Sequence, residues 1–278
     1  MFRFFFLHFL IFCSKGIPLR RNFVVNFKFS ALKESMFEQS PHSHFEQLDS
    51  TNNYASTIAK LPETQSGTAI TADFQLEGRG QRDNKWLAEA GCSFLGTIIL
   101  KVPFKPEEIF YLSKWAALQV AKTLIQHNIL CVSIKWPNDI FVEGKKIGGI
   151  LIENSWSDQQ LHYSLIGIGI NITNQHLENA TCISNHTIEI PTAPSFLKTL
   201  RNHMSGNLFL LEEKKWLEID SQYHHLLFQK GEIKNYQIAK DQSNFSGKII
   251  RVEADGKLIV ETDSQSCLGF YMKEITFL

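Results

Sequence analysis

Two stretches of the chain gather the residue types that handle anions. In EGRGQRDNKWLAEAG, residues 77–91, Arg79, Arg82 and Lys85 are interspersed with Gly78 and Gly80 and run into Trp86, with no helical or strand period. Such a run reads as a cationic loop that could cover an anion and that ends in a large flat ring. In KWPNDIFVEGKKIGGILIE, residues 135–153, Lys135, Asn138, Asp139 and Lys146 sit around one hairpin that turns at Glu143-Gly144-Lys145. Antiparallel pairing brings the Asn138-Asp139 end near the Lys146–Gly149 end. A carboxylate then stands beside a lysine, against backbone laid open by Gly148 and Gly149. Metal-assisted nucleotide chemistry asks for this pair: the carboxylate for Mg²⁺, the ammonium for phosphate. The same residues also describe a solvated hairpin with a surface ion pair of little energetic weight.

The glycines bear on which reading holds. Nine of sixteen fall between Gly78 and Gly169, and glycine weakens strands, so their concentration asks for close approach of backbone to something else. No GxxxxGK[ST] phosphate loop is present, and GIGIN (residues 167–171) lacks the third glycine and the helix of a dinucleotide fingerprint. Any anion site is of another design.

The elements that must hold these residues can be read from periodicity. DSTNN predicts a helix over 52–60, stopped by Pro62. Strands are expected over 67–78, 92–104, 130–136, 139–143, 145–156 and 161–172, the last apolar almost throughout and so buried on both faces. Between them, 106–128 is opened by Pro106 and two glutamates and keeps helical spacing through Ile109, Leu112, Ala116, Val120 and Leu124. Helices over 195–211 and 213–222 follow. From about Leu226 the pattern changes to short strands with an Asp255-Gly256 hairpin, which suits a small β-barrel appended to an α/β body.

Composition bounds the rest. The 278 residues carry 28 basic and 28 acidic side chains, so no bulk field draws the chain to nucleic acid or to an anionic membrane. Five scattered cysteines show no metal-ligand spacing and suit a reducing cytoplasm, as free and mostly buried thiols. The ten histidines lack a HExxH pattern and are expected at the surface or satisfied in the core. MFRFFFLHFLIF is too short to span a membrane and lacks a cleavage site, so residues 1–36 are expected to be an unstructured extension, or one that begins at a start upstream of the genuine start at Met36.

LDSTN, FQxxGRG with Trp86, KWPND, KIGGILIE and GIGIN, in this order and at these intervals, together resemble the catalytic core of biotin protein ligases, the enzymes that attach biotin to carboxylases. The resemblance covers roughly residues 45–175 by motif and implies an α+β fold. That fold has a central mixed, largely antiparallel sheet flanked by helices, in the manner of class II synthetases, over 37–225, with a small SH3-like β-barrel over 226–278. It implies biotin and ATP as substrates, Mg²⁺, and a biotin carboxyl carrier protein domain as partner, with the ligase a monomer or homodimer in the cytoplasm. Ser50, Thr51, Asn52 and Gln75 would bind the ureido ring of biotin. Gly78, Arg79, Gly80 and Gln81 would fold over it, with Lys146 and Gly149 at its carboxylate. Arg82, Trp86, Asn138, Asp139 and Asn171 would bind ATP, with Asp139 also the metal ligand. Lys146, Arg79 and Asp139 would carry the catalysis. The loop departs from the family's usual GRGR-x-G-x-x-W: Gln81 stands where an arginine is usual and Asp83 where a glycine is.

Three rivals are weighed against this. A biotin-sensing transcriptional regulator needs a helix–turn–helix ahead of the core, and residues 1–36 show no helical period. A lipoate-type acyl ligase shares the fold, but its RRxSGGG loop is replaced here by GRGQ. A binding protein without catalysis is disfavoured by the joint presence of Asp139, Lys146 and Arg79.

Overall fold

The computed structural model describes residue 37 and residues 39–81, 85–174 and 179–278. The extension expected over 1–36, Arg82 and Asp83 lie outside the described residues. Seven strands form one mixed sheet: β1 (His42–Leu48), β2 (Ala69–Gln75), β3 (Ser93–Leu100), β4 (Val132–Lys135), β5 (Asp139–Val142), β6 (Lys145–Ser157) and β7 (Gln160–Asn171), in spatial order β1-β2-β3-β7-β6-β5-β4. β1 and β2 run parallel and every other neighbouring pair is antiparallel, which is the largely antiparallel mixed sheet that the motifs imply.

Alternation along β3 and β7 divides the sheet into two faces. Ile98, Ile166, Ile168 and Ile170 belong to the main core, with α2 (Ile109–Gln126) and α3 (Ala193–Gly206) packed beside them. Ile99, Tyr163 and Leu165 face the other way, onto Ala55 of α1 (Thr51–Ile58) and Ala59, which caps it. α2 is buried from Tyr111 to Leu124 except at Ser113, and each large apolar side chain so covered contributes roughly 1.5–3 kcal/mol. The helix expected over 195–211 is split into α3 and the short α4 (Phe209–Glu212), and the one expected over 213–222 is α5 (Trp216–Leu226). Asn207 ends α3 by folding its amide back onto His203 O at 2.8 Å, and Lys214 takes positive φ. Polar residues that bond their own backbone break a helix that apolar periodicity alone would continue.

The tail forms a second, five-stranded antiparallel sheet: β8 (Ile233–Ile238), β9 (Asn244–Val252), β10 (Leu258–Thr262), β11 (Cys267–Phe270) and β12 (Ile275–Phe277), in order β11-β10-β9-β8-β12. Its Tyr236, Ile249, Val252, Leu258 and Phe270 share one core cluster with Trp115, Trp136 and Tyr223. Trp136 of KWPND donates its indole N–H to Gly256 O, 2.9 Å away, in the Asp-Gly turn. The second sheet is therefore tied to the segment that carries Asn138 and Asp139.

Some expectations from composition need correcting. Cys182 is buried, but Cys92 is only half-buried and Cys267 is exposed. His127 and His203 are not satisfied core residues: their Nε2 atoms are buried without a hydrogen-bond partner. Burial, with Lys122 and His127 adding to it, holds the His203 imidazole down to about 4. Its folded value thus lies below the unfolded 6.5, so between the two the unfolded chain binds more protons and stability falls with falling pH. We expect His203→Gln to remove part of the acid sensitivity, roughly 2–3 kcal/mol between pH 6.5 and 4. Melting temperatures of both proteins across that window check this; parallel curves would show that His203 does not titrate with unfolding.

Candidate functional site

The register of the sheet builds a floor. Leu95, Gly169, Gly149 and Asp139 stand opposite one another across β3, β7, β6 and β5, and in the next row Thr97, Gly167 and Leu151 do the same. Two directly paired glycines leave the centre of this face bare. The bareness is used: a Cβ on Gly169 would lie 2.6 Å from the Trp86 ring, and one on Gly167 would lie 2.5 Å from Asn52 Oδ1. Glycine is required at both positions because a side chain from elsewhere occupies the space.

The cleft over this floor is lined by most of the residues singled out in the sequence. Ser50, Thr51, Asn52, Gln75, Arg79, Gly80, Gln81, Trp86, Asn138, Asp139, Lys146 and Gly149 all reach it, from segments far apart in the chain. Lys85, Leu95, Ile150, Leu151, Gly167, Ile168 and Gly169 complete the lining. Gly78 and Asn171 are not part of it. Gly78 lies against Trp86, whose N–H donates to Gly78 O at 2.8 Å. Asn171 ends β7 with its Nδ2 on Thr181 O at 3.1 Å, and its Oδ1 is buried without a partner. Arg82 lies outside the described residues.

At one end, α1 starts in an unusual way. Ser50 occupies the N-cap position but makes no side-chain cap, although a serine there commonly contributes about 1 kcal/mol by capping. Gln75 of β2 supplies the acceptor instead, with Oε1 2.7 Å from Thr51 N. The Ser50 hydroxyl is left facing the cleft. Thr51 Oγ1 lies 2.8 Å from Thr97 Oγ1, which is also 2.6 Å from Asn52 Oδ1. Asn52 Nδ2 donates to Glu153 Oε2 at 2.7 Å, and Arg79 Nη2 reaches the same oxygen at 2.7 Å. Asn52 is thus held on both sides.

At the other end, a β-bulge sets the aim of Lys146. The β5–β6 register shifts after Ile140, so that Lys146 rather than Ile147 stands opposite Phe141. The shift turns Lys146 to the face shared by Asp139 and Gly149, and its Nζ lies 2.6 Å from Asp139 Oδ1. Asn138 fixes the start of β5, donating Nδ2 to Ile150 O at 2.9 Å and accepting from Ile150 N at 3.0 Å. Lys135, read from sequence as part of this group, stands opposite Asp139 and within reach of the Asp139 and Lys146 charges but does not line the cleft. Its Nζ lies over the Phe141 and Phe277 rings at 5.1 and 4.8 Å, and burial lowers its pKa.

Arg79 and Lys146 are each paired with a carboxylate while 41 % and 39 % exposed. Pairs so exposed hold by about 1 kcal/mol or less, so a bound anion can displace them. Among the described residues no cluster of three His, Cys, Asp or Glu side chains is arranged to hold a metal ion. Asp139 alone suits Mg²⁺, which is commonly held by one carboxylate with substrate phosphates completing its shell. The sequence reading missed Thr97 and Glu153. Glu153 stands in KIGGILIE, but a polar residue two places beyond a floor position betrays no contact with Asn52, 101 residues away.

Residues 44–171 match the Biotin/lipoate A/B protein ligase family. The biotin–[acetyl-CoA-carboxylase] ligase of Paracoccus denitrificans is 37 % identical over 132 residues, 45 % of this chain and 52 % of that protein. The bifunctional ligase/repressor BirA of Escherichia coli is 30 % identical over 133 residues, 48 % of this chain and 41 % of that protein. The chain thus spans about two fifths of the length of that relative. Among solved structures, the biotin protein ligase of Aquifex aeolicus in complex with biotin and ATP superposes with a TM-score of 0.66 at 24 % identity, over 85 % of this chain and 97 % of that one.

Proposed function

The chain carries a biotin/lipoate A/B protein ligase family domain over residues 44–171, and on that premise we propose that it is a biotin protein ligase. It activates biotin with ATP to biotinyl-5'-AMP and transfers the biotinyl group to a lysine of a biotin carboxyl carrier protein domain. The observation that carries this reading is one cleft with a polar, hydrogen-bonded end at Ser50, Thr51 and Asn52, where Arg79 also stands, and with Lys146 and Asp139 at the other end. A ligand with a neutral polar ring, an apolar chain and a carboxylate matches that sequence of surfaces; Leu95 and Leu151 would line the chain.

In this reading the biotin carboxylate attacks the α-phosphorus of ATP and pyrophosphate leaves. Charge grows on the phosphoryl oxygens as it does so. Lys146 and Arg79 leave Asp139 and Glu153 to meet that charge, and preorganised cations are worth most where water is excluded. Asp139, released by Lys146, would hold Mg²⁺, which supplies further neutralisation of phosphate charge when bound. Trp86 lies over Gly169 with its indole N–H buried and unpartnered. Asn171, on the same strand face two residues beyond Gly169, has its unpartnered Oδ1. The Trp86 ring and its free indole N–H suit a nucleotide base, while Asn171, outside the cleft lining, would act from behind the strand end. Gly78 has a supporting part, holding the backbone of Trp86. Residues 226–278 are proposed as a C-terminal subdomain, and the enzyme as cytoplasmic. No helix among the described residues is long and apolar enough to cross a membrane.

The protein, biotin, ATP, Mg²⁺ and an unmodified carrier domain should together give one biotinylated lysine, detected by streptavidin and located by mass spectrometry. Chelating the metal should abolish the label, and restoring Mg²⁺ should return it. An unlabelled carrier domain in the complete mixture would overturn the assignment.

A further inference from the structure

His42 and His44 stand outside the cleft and take no part in the function proposed above. They are two residues apart on β1, so both rings project from one face of the sheet. The strand register shows which face. His44 is opposite Thr71, and Thr71 is opposite Gly96, the residue between Leu95 and Thr97 of the cleft floor. The pair therefore lies on the far side of the sheet from the cleft. β1 is an edge strand, and both histidines are exposed there.

Their ring nitrogens converge. His42 Nε2 lies 2.8 Å and His44 Nδ1 3.0 Å from the same atom, Thr71 Oγ1. On the other side of its ring, His44 Nε2 lies 3.4 Å from Asp73 Oδ2. A carboxylate only accepts, so it favours the ring hydrogen on Nε2 and leaves Nδ1 a lone pair toward Thr71. A carboxylate that fixes the tautomer from behind is the usual companion of a metal-ligating imidazole. The single hydroxyl hydrogen of Thr71 then goes to His44, and His42 Nε2 donates its own. His42 is exposed and can move that hydrogen to Nδ1 through solvent. Partial burial, with the Arg201 charge adding to it, lowers the His42 pKa and favours the neutral ring that ligates. Arg201 also repels an incoming dication, and the Asp73 charge offsets that.

We propose that His42 and His44 form a transition-metal site that takes Zn²⁺ or Cu²⁺ through His42 Nε2 and His44 Nδ1, with Asp73 as a positioning residue. Water completes the shell, and a water on the metal meets the buried Thr71 hydroxyl. Imidazole suits these ions, whereas Mg²⁺ prefers carboxylate, carbonyl and water. The site is thus distinct in ligand chemistry, as well as in face, from Asp139. With two ligands from the chain and open positions it exchanges its ion with solvent, unlike a closed structural zinc. The proposal does not depend on the biotin reading. HSH is visible in the sequence, but Asp73 and Thr71 join it only through the parallel pairing of β1 with β2.

The test uses the full chain without an affinity tag, stripped of metal by a chelator. Zn²⁺ binding is followed by calorimetry, and Cu²⁺ binding by electron paramagnetic resonance. The wild type should bind Zn²⁺ with Mg²⁺ present in excess, and its Cu²⁺ spectrum should carry nitrogen couplings from two imidazoles. Asp73→Ala should weaken Zn²⁺ binding by about tenfold and keep both couplings. His42→Ala and His44→Ala should each weaken it further and leave one coupling. His162→Ala, at an exposed position of β7, should change nothing. His42 and His44 are exposed and Asp73 is half-exposed, so the metal-free variants should melt with the wild type, which separates lost ligation from lost fold. No Zn²⁺ binding by the wild type, or wild-type affinity in either His42→Ala or His44→Ala, would overturn the site. Affinity unmoved by Asp73→Ala would overturn the role given to Asp73.

Discussion

Lys146→Ala should lower biotin-dependent pyrophosphate release by about 10²–10³-fold, the loss expected when one preorganised group is removed from developing charge. The fold should survive. The Lys146 backbone is held by Thr181, whose N–H donates to Lys146 O at 2.8 Å, and its side chain contributes only a half-exposed pair with Asp139. Asp139 loses a weak partner and gains water. Substrate affinity should change much less than turnover, because the added charge appears only as the bond forms. Pyrophosphate release, biotin binding and melting temperature, measured on the same preparation, separate these effects. Turnover within a factor of three of wild type would remove Lys146 from the chemistry.

Asp220→Ala should be the most damaging single change away from the cleft, with a stability loss of about 3–5 kcal/mol. Lys114 of α2 is fully buried, and its Nζ lies 2.6 Å from Asp220 Oδ1 of α5 and 2.9 and 3.0 Å from the carbonyls of Val252 and Glu253. The Tyr111 ring stands 5.1 Å away. Burial lowers the Lys114 pKa, and Asp220 opposes that effect. Without Asp220 the ammonium is held only by dipoles and aromatic faces, and its folded pKa falls further below the unfolded value. Over that interval the unfolded chain binds more protons, so stability rises with pH. The deficit of the variant should therefore narrow between about pH 7 and pH 10. Urea unfolding of both proteins at the two pH values reads this directly. A variant within 1 kcal/mol of wild type, or a deficit independent of pH, would show that the ammonium is not strained by burial.

What the sequence made legible follows the strength of local signals. Glycine and proline punctuation placed β2 through β7, and the long period of α2 placed the main core helix. β1 was missed, although its neighbour Ser50 was singled out. In HSHFEQL only Ser43, Phe45 and Leu48 are half-buried and the other four residues are exposed, and a polar edge strand that pairs in parallel needs no hairpin to announce it. At the site, residues tied to a recognisable spacing were brought together, from Ser50 to Gly149. Thr97 and Glu153 were not, because their roles come from strand register: Thr97 stands opposite Gly167 only in the folded sheet. Lys135 shows the converse. Neighbourhood in sequence suggested the cleft, and Phe141 and Phe277 hold its ammonium beside Asp139 but out of the cleft lining. Lys146 reaches Asp139 through a bulge that simple hairpin pairing does not foretell.

The central claim is that this cleft joins biotin to AMP, and it can be tested without any carrier protein. ATP labelled at the α-phosphate is incubated with the protein, Mg²⁺ and either biotin or lipoate, and the products are separated by thin-layer chromatography. The account predicts labelled biotinyl-5'-AMP with biotin, retained on the protein through gel filtration, absent with Lys146→Ala and absent with lipoate. Labelled adduct with lipoate in place of biotin, or no adduct with either acid, would contradict it.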